Sequence, residues 1–353
     1  MINRIKRAQD LLKKTKLDCL IVNNLRNIRY LSGFSGSSGI LLVLEDNVIL
    51  LTDFRYIEQA QQEVVDYCEI MQHGSNLYDD LKNLTVKYKF IGFETSHMTV
   101  ENFELMKEKL VNKEWIPVKL DKLRMIKDET EIGYITQAVE IADKTFSQLL
   151  PKLDIGMTEM EAAALLEFQL RKNGAERTSF QTIVASGERS ALPHGQPTER
   201  KFAKGDLVTF DFGAVYKGYC SDMTRTIVFG KANSKQKKIY DIVLSAQLAT
   251  IENLKGAITG KEADAFARDI ITKAGYGERF GHGTGHSLGL AIHEEPRLSP
   301  SCDTVLRPGM VVTVEPGIYL PGWGGVRIED IVVITDGDPQ VLTKSTKVLF
   351  ELT

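Results

Sequence analysis

The chain of 353 residues is long enough for two domains, and a composition of 43% hydrophobic and 26% charged residues is that of a globular protein with ample core. Its net charge of −3 argues against a nucleic-acid-binding surface, and no apolar run approaches the roughly 18–20 residues that span a bilayer. The first residues, MINRIKRAQDLLKKTK, lack the apolar segment of a secretory signal, and the four scattered cysteines indicate reduced thiols. We therefore expect a cytoplasmic protein with no nucleic-acid or membrane partner.

The first 120 residues alternate helical and strand patterns. Residues 3–16 are predicted to form a helix with one apolar side, and DCLIV at 18–22 is predicted to form a buried strand. The apolar runs 39–44 and 48–52 flank a polar Glu-Asp-Asn turn, which predicts a hairpin. Residues 1–122 are therefore predicted to form an α/β N-terminal domain.

A charged joint, DKLRMIKDETEI, separates this domain from a second predicted domain over residues 123–353. Helices are expected at 129–150 and 158–172, and the second begins with a capping-box pattern of Thr158 and Glu161. Strands from Phe180, two helices at about 234–254 and 260–274, and further strands follow. The order predicts an α+β domain with antiparallel hairpins.

The segment LVTFDFGAVYKGYCSDMTRTIVF predicts one of these hairpins, with a tight turn at Lys217-Gly218. That turn pairs Asp211 with Thr224 and makes Asp211 and Asp222 diagonal neighbours on one face, with Cα atoms roughly 7–8 Å apart. Apolar neighbours indicate that the two carboxylates are buried. They would then repel each other unless a cation lies between them or one is protonated.

A second predicted hairpin also carries two acidic residues in apolar surroundings. The strands VVTVEPGIYL and GVRIEDIVVIT flank a Pro-Gly-Trp-Gly turn, and a turn centred on Gly322 places Glu315 opposite Glu329. Arg327 projects from the same face as Glu329. The neighbouring valines and isoleucines again indicate burial, and strand interiors disfavour such acids.

Simpler interpretations exist for each acid alone. Asp211 fits a turn or cap residue, Asp222 fits a surface ion pair with Arg225, and the glutamates fit the solvent face of a sheet. Four acids on two hairpins favour a metal site, because two divalent cations balance four carboxylates and a neutral imidazole completes the set. In dinuclear sites the metals lie roughly 3.5–4 Å apart, and oxygen-rich ligands suit Mn²⁺ first, with Co²⁺, Fe²⁺ and Zn²⁺ open.

The histidines concentrate in FGHGTGHSLGLAIHEEP, which contains His282, His286 and His293 among glycines that allow close backbone approach. A lone histidine is usually a satisfied core residue, whereas three together favour a site. His194 lies in the loop sequence SALPHGQP, a setting in which site residues are common. His73 and His97 have no acidic partner pattern and are interpreted as structural or surface residues.

Five motifs occur in order: PHG, DFGAVYKGYCSD, HGTGHSLGLAIHEEP, VEPGIY and VRIED. Together they resemble those of the metal-dependent Xaa-Pro peptidases, aminopeptidase P and prolidase, in the wider pita-bread peptidase family. The resemblance covers essentially the whole chain, since NLRNIRYLSGFSGSSGILLV and TDFRY are similar to the creatinase/prolidase N-terminal domain. It implies an N-terminal domain that restricts substrate size and contributes dimer contacts, and a pita-bread catalytic domain.

The resemblance also implies a role for each site residue. Asp211 would be a bidentate ligand of one metal, and Asp222 and Glu329 would bridge both metals. His286 and Glu315 would complete the coordination, one metal each. Glu315 would also accept the proton of the attacking water. The residues implied to act on substrate or to support the ligands are His194 near the proline side, His282 and His293 at the tetrahedral intermediate, and Arg327 beside the acids.

The implied reaction is hydrolysis of the N-terminal Xaa-Pro bond by a metal-bridging hydroxide, which releases the N-terminal amino acid in a homodimeric metallopeptidase. A methionine-type or general aminopeptidase shares the ligands but commonly lacks so large a first domain. A non-enzymatic pita-bread protein would have lost ligands that this chain keeps, and creatinase departs at the same positions. GHGTGH lacks the spacing and the Lys-Ser/Thr ending of a phosphate loop, which argues against a nucleotide-binding protein. The motifs leave open whether dipeptides or longer peptides are cleaved.

Overall fold

The computed structural model describes residues 2–352 of the chain, which divides into two compact units with a boundary between Arg124 and Met125. Each unit has its own hydrophobic core and is described by itself. None of the helices within residues 2–352 combines the length and the apolar character needed to cross a membrane.

The first unit is built on one mixed sheet. The predicted hairpin is confirmed, because Val43 pairs with Val48 across the Glu-Asp-Asn turn. Its elements are α1 (Ile2–Thr15), β1 (Cys19–Val22), α2 (Leu25–Ser32), β2 (Ile40–Leu44), β3 (Val48–Thr52), α3 (Ile57–Glu63), β4 (Glu69–Gln72), α4 (Leu77–Thr85), β5 (Phe90–Glu94), α5 (Val100–Lys109) and β6 (Glu114–Val118). Within residues 2–124 the strand order is β4-β3-β2-β1-β5-β6, where β1 pairs with β2 antiparallel and with β5 parallel.

The second unit begins with two helices that end close to the predicted positions. The capping box predicted at Thr158 is confirmed, since its hydroxyl accepts from the Glu161 amide and the Glu161 carboxylate accepts from the Thr158 amide. Such reciprocal bonds satisfy the free N–H groups of a first helical turn. The helices of this unit are α6 (Glu129–Leu149), α7 (Glu159–Lys172), α8 (Ser234–Asn253) and α9 (Gly260–Lys273).

The strands of the second unit form small, mainly antiparallel sheets. The strands are β7 (Arg177–Thr178), β8 (Ile183–Ser186), β9 (Leu207–Phe212), β10 (Ala214–Tyr216), β11 (Tyr219–Cys220), β12 (Met223–Phe229), β13 (Gly285–Ser287), β14 (Glu294–Leu298), β15 (Val311–Val314), β16 (Gly317–Leu320), β17 (Gly324–Arg327), β18 (Asp330–Val333), β19 (Gln340–Val341) and β20 (Phe350–Leu352). Their orders in the sheets within residues 125–352 are β11-β10-β7, β20-β12-β9-β8, β14-β13-β15-β18-β19 and β16-β17.

The register of the first predicted hairpin is confirmed. Asp211 pairs with Thr224 across β9 and β12, and both residues of the Lys217-Gly218 turn have positive φ, 48° and 79°. Positive φ at both central residues matches the turn type whose twist fits a two-residue hairpin. Because side chains alternate along a strand, Phe210 and Phe212 pack on Phe146 of α6 while Asp211 points to the opposite face.

The second hairpin also has its predicted register, on both sides of the two glutamates. Val314 pairs with Asp330 in one sheet, and Gly317 pairs with Arg327 in the next. Glu315 and Glu329 lie between these pairs, where the ribbon leaves one sheet and enters another. There the Glu315 amide donates to the carbonyl of Thr284 (2.7 Å) and the Glu329 amide donates to the carbonyl of Thr224 (3.1 Å).

We expect Gly213→Ala to destabilise the second unit, because a Cβ at Gly213 would lie 1.9 Å from the Ser221 carbonyl oxygen and 2.2 Å from the Ser179 hydroxyl. Overpacking of this kind costs roughly 1–3 kcal/mol or more. Gly133→Ala is the control, since Gly133 lies inside α6 with nothing within 4 Å of an added Cβ. It should stabilise by about 0.5–1 kcal/mol. Thermal unfolding in EDTA measures both, and equal midpoints for the two variants would contradict the packing argument.

Candidate metal centre

Five side chains from four separate segments converge in the second unit. Asp211, Asp222 and Glu329 each present a carboxylate oxygen, and these three atoms lie within 4.8 Å of one another. His286 Nε2 lies 3.6 Å from Asp222 Oδ2 and 3.3 Å from Glu315 Oε1. The structure thus brings together the five residues that the sequence motifs indicate as metal ligands.

The carboxylates are buried without enough positive charge or hydrogen bonding to satisfy them. Glu329 is 1% exposed and Asp222 is 6% exposed. Burial, reinforced by Glu329, raises the pKa of Asp222 well above its usual value, and burial, reinforced by Glu315, does the same for the pKa of Glu329. Burial also raises the pKa of Glu315 to about 7.

Two buried oxygens of this cluster, Asp211 Oδ1 and Glu329 Oε1, have no hydrogen-bond partner. Unpaired buried carboxylate oxygens are costly, and buried polar atoms are almost always satisfied. Both oxygens belong to residues that also face the neighbouring acids. The donor set, four carboxylates and one imidazole, therefore fits divalent cations.

His286 has the protonation state that a metal ligand needs. Its Nδ1 contacts the carbonyl oxygen of Ser287 at 3.1 Å, which places the ring proton on Nδ1 and leaves the Nε2 lone pair toward the acids. Burial, followed by the nearby His293, lowers the pKa of His286 to about 3, so the ring is neutral. Its backbone amide donates to Thr313, whose hydroxyl in turn donates to Glu315 Oε1 (3.0 Å).

Arg327 organises the opposite side of the acid cluster. Its Nη2 donates to Asp211 Oδ2 (2.6 Å), and its Nε donates to the Thr224 hydroxyl (3.1 Å), which donates to Glu329 Oε2 (2.6 Å). Its Nη1 donates to the hydroxyl of Tyr319 (2.9 Å). One guanidinium therefore orients the carboxylates of both hairpins, and it reaches Glu329 through a threonine.

The simpler interpretations of the acids do not hold. Arg225 pairs with Asp330 (2.7 Å) rather than with Asp222, and it is only 1% exposed, so it is not part of a surface ion pair. Asp211 lies within strand β9, so it is not a turn or cap residue. Burial of Glu329 likewise excludes a solvent-facing position.

A cavity of about 810 Å³ opens onto the cluster. The four residues predicted to contact the substrate or support the ligands all line this cavity: His194, His282, His293 and Arg327. His293 packs edge-to-face on His286, with ring centroids 4.4 Å apart, and burial lowers its pKa. His194 is exposed on the loop between β8 and β9.

His282 makes contacts that the motif did not indicate. Its Nε2 lies 2.8 Å from the Tyr319 hydroxyl and its Nδ1 lies 2.8 Å from the carbonyl oxygen of Gly283. Burial lowers its pKa to about 4, so the ring is neutral. Both ring nitrogens are thus engaged by the protein, and direct action of His282 on substrate stays a prediction.

Comparison with known proteins places this centre in a family. Residues 133–336 match the model of metallopeptidase family M24, and residues 4–126 match the creatinase/prolidase N-terminal domain. The chain belongs to metallopeptidase family M24. The resemblance found in the motifs is confirmed, and the M24 chain is a metallopeptidase with a creatinase-like N-terminal domain and a pita-bread catalytic domain.

Three relatives match over nearly their whole length. The Xaa-Pro dipeptidase of Pyrococcus horikoshii is 42% identical over 99% of each chain. The solved Xaa-Pro dipeptidase of Bacillus anthracis superposes with a TM-score of 0.96 at 45% identity and 99% coverage of both chains. The X-Pro aminopeptidase of Thermotoga maritima gives a TM-score of 0.90 at 39% identity, over 96% of this chain and 98% of that one.

Sequence reasoning missed three contributors to the site of this M24 peptidase. Tyr319 lies in the motif VEPGIY, which does not indicate a role for it, although it joins His282 to Arg327. The hairpin register places Thr224 opposite Asp211 but does not indicate that it donates to Glu329. Arg297 lines the cavity and pairs in register with His286. In the sequence, Arg297 stands between the apolar residues Pro296 and Leu298, which predicts an outward side chain without indicating that it faces a cavity.

We expect Asp222→Asn to remove the metal of this M24 peptidase. The wild-type protein should bind about two divalent ions per chain, which raises its melting temperature. The variant should lose bound metal and that increment, and in EDTA it should melt above the wild type because one buried, repelled carboxylate is gone.

Elemental analysis and thermal melting with and without EDTA test this expectation. Asp241→Asn, an exposed position on α8, is the matched control and should behave as the wild type. Normal metal content in Asp222→Asn would refute the ligand assignment.

Proposed function

We propose that this enzyme hydrolyses the N-terminal Xaa-Pro bond of short peptides and releases the N-terminal amino acid. The observation that carries the proposal is the buried cluster of four carboxylates and one neutral imidazole, with two unpartnered oxygens, at the end of a cavity of about 810 Å³. The substrate class is supported by two relatives that are Xaa-Pro dipeptidases and are more than 40% identical over 99% of the chain.

Two divalent ions would be held by Asp211, Asp222, His286, Glu315 and Glu329, with Asp222 and Glu329 shared between them. When bound there, divalent ions lower the pKa of water and polarise the scissile carbonyl. Mn²⁺ is the first expectation because oxygen ligands outnumber nitrogen four to one, although Co²⁺, Zn²⁺ and Fe²⁺ suit the same set.

Glu315 is positioned to accept a proton at the cavity surface. Its side chain is 18% exposed, whereas the side chain of Asp222 is 7% exposed. The Thr313 hydroxyl fixes one of its oxygens. Glu315 would therefore receive the proton of the attacking water and return it to the leaving amine.

Two histidines of the cavity, His293 and His194, would contact the substrate. His293 lines the cavity beside His286, and its ring would donate to the carbonyl oxygen as negative charge develops there. His194 would contact the proline side of the peptide. Arg327 and Tyr319 would act by holding Asp211 in place rather than by touching the substrate.

Arg297 supports dipeptides as the preferred substrates. It is a cavity-lining cation beyond the cluster, in register with His286. An Xaa-Pro dipeptide ends in a carboxylate directly after the proline, and a guanidinium is the side chain best suited to bind it bidentately. A longer peptide has a neutral amide at that point. The predicted roles of residues 1–122 in limiting substrate size and in homodimer contacts stay predictions.

We expect His293→Ala to lower kcat by about 10²–10³-fold while bound metal stays near the wild-type level, because His293 donates to substrate and His286 is the ligand. Steady-state kinetics and elemental analysis on the same preparation measure the two effects. His97→Ala, an exposed position of the first unit, is the control. Loss of metal in His293→Ala would show that the role is misassigned.

We expect the Mn²⁺-, Co²⁺- or Zn²⁺-reconstituted enzyme to cleave Ala-Pro with a higher kcat/KM than Ala-Pro-Ala-Ala. Arg297→Met should raise KM for the dipeptide by about tenfold or more, since it removes a charge-assisted pair, and should leave the tetrapeptide nearly unaffected. Arg297→Lys should keep part of the preference because the charge remains. An equal effect of Arg297→Met on both peptides would exclude carboxylate binding.

A further inference from the structure

One cavity wall is a loop whose position depends on distant residues. It runs from 187 to 198 between β8 and β9, opens with a short 3-10 turn at Gly187–Ala191, and carries the cavity-lining residues Pro193, His194 and Gln196. Its tip is open to solvent, since Leu192 is 51% exposed. A loop with an exposed tip needs anchors at its base if a side chain on it is to have a fixed place.

Both ends of this loop meet on a single buried carboxylate, that of Glu159. Glu159 Oε1 accepts from the amide and the hydroxyl of Ser186 (2.8 and 2.7 Å), just before the loop. Glu159 Oε2 accepts from the amide and the hydroxyl of Thr198 (3.0 and 2.7 Å), at the end of the loop. The two oxygens thus close the loop at its base.

The same carboxylate reaches the interior of the loop through Arg189. Arg189 Nη1 donates to Glu159 Oε2 (2.8 Å) and its Nη2 donates to the carbonyl of Gln196 (2.8 Å). A second anchor is Ser190, whose hydroxyl accepts from the Gly325 amide on β17 (2.9 Å). Arg189 therefore couples Glu159 to the residue two positions after His194.

The start of helix α7 does not require Glu159. The Thr158–Glu161 capping box already satisfies the helix end. Yet Glu159, the first residue of α7, has 0% exposure, and a buried carboxylate is stable only when its lone pairs are satisfied. All of the satisfying side-chain and amide donors named above come from the loop or its two ends. The Glu159 carboxylate therefore bonds to the loop and takes no part in the helix cap.

We propose that Glu159 is a positioning residue that fixes the 187–198 loop and thereby the place of His194 beside the substrate. The proposal rests on the proposed function, because it takes His194 to contact the peptide. Glu159 is not a catalytic residue, since it does not line the cavity and acts through the loop.

The first test is Glu159→Gln, which keeps the size of the side chain but presents an amide N–H to donors. KM for Ala-Pro should rise by about tenfold with a much smaller change in kcat, because the loop binds substrate and the reacting groups are elsewhere. Bound metal should be unchanged. Amide hydrogen exchange across 187–198 should become faster, and this readout is independent of activity.

The matched control is Glu161→Ala, in the same helical turn. It removes the carboxylate that accepts from the Thr158 amide and so lowers helix stability, but it should leave KM and loop exchange near the wild-type values. A KM rise in Glu161→Ala equal to that in Glu159→Gln would overturn the proposal in favour of general loss of helix stability.

A second pair of variants keeps the proposal testable if Glu159→Gln fails to fold. Thr198→Val removes the hydroxyl, which donates to Glu159 Oε2 and accepts from the Arg200 amide (3.2 Å), and should raise KM, whereas Thr198→Ser keeps both bonds and should restore it. Unchanged KM and exchange in Thr198→Val would count against the loop closure. Valine has nearly the same shape as threonine, so a KM increase in Thr198→Val reports lost hydrogen bonds and not altered packing.

The link to His194 is tested by a double-mutant cycle. The KM increase from Glu159→Gln should largely disappear in a His194→Ala background, because the loop then has no substrate contact to place. Independent, multiplicative effects would overturn the assigned role. If the wild-type enzyme cleaves no Xaa-Pro peptide, the proposed function fails, and hydrogen exchange alone still decides whether Glu159 fixes the loop.

Discussion

Four carboxylates packed around one neutral imidazole constrain the rest of the second unit. Gathering Asp211, Asp222, Glu315 and Glu329 in a buried space is unfavourable through desolvation and mutual repulsion, which is why the pKa values of the two most enclosed acids rise. Arg327 offsets part of that charge. The remaining charge and the unpartnered oxygens are what divalent ions would neutralise, so this M24 fold has a core that bound metal completes.

The two β-ribbons can hold this arrangement because their other faces are tightly packed. Phe210 and Phe212 bury one face of β9 against α6, which leaves Asp211 no alternative orientation. The second ribbon changes sheets at its two glutamates, and their freed amides bond to Thr284 and Thr224. Each of those residues is two positions from another member of the cluster, so backbone hydrogen bonds join the segments that carry the ligands.

One group of charged residues next to the cluster is paired away from it. Arg225, Asp330 and the partly exposed Lys347 form a network in which Asp330 also accepts from Gln247 (2.9 Å). Asp330 directly follows Glu329 in the sequence, and it pairs with the positive charges of Arg225 and Lys347. Because Arg225 and Lys347 pair with Asp330, Arg327 is the cation that contacts Asp211. The side of the acids that faces the cavity stays open for metal and substrate.

The sequence by itself determined the features that follow local rules. Turn residues at Lys217-Gly218 and Gly322 set both registers, Thr158 and Glu161 set a helix start, and alternation placed the acids on one face. Only the tertiary structure decided that Arg225 pairs with Asp330, that His282 contacts Tyr319 and that Glu159 closes a loop. Those partners are 27 to 105 residues apart. No local periodicity encodes such contacts, because they depend on how separate elements pack.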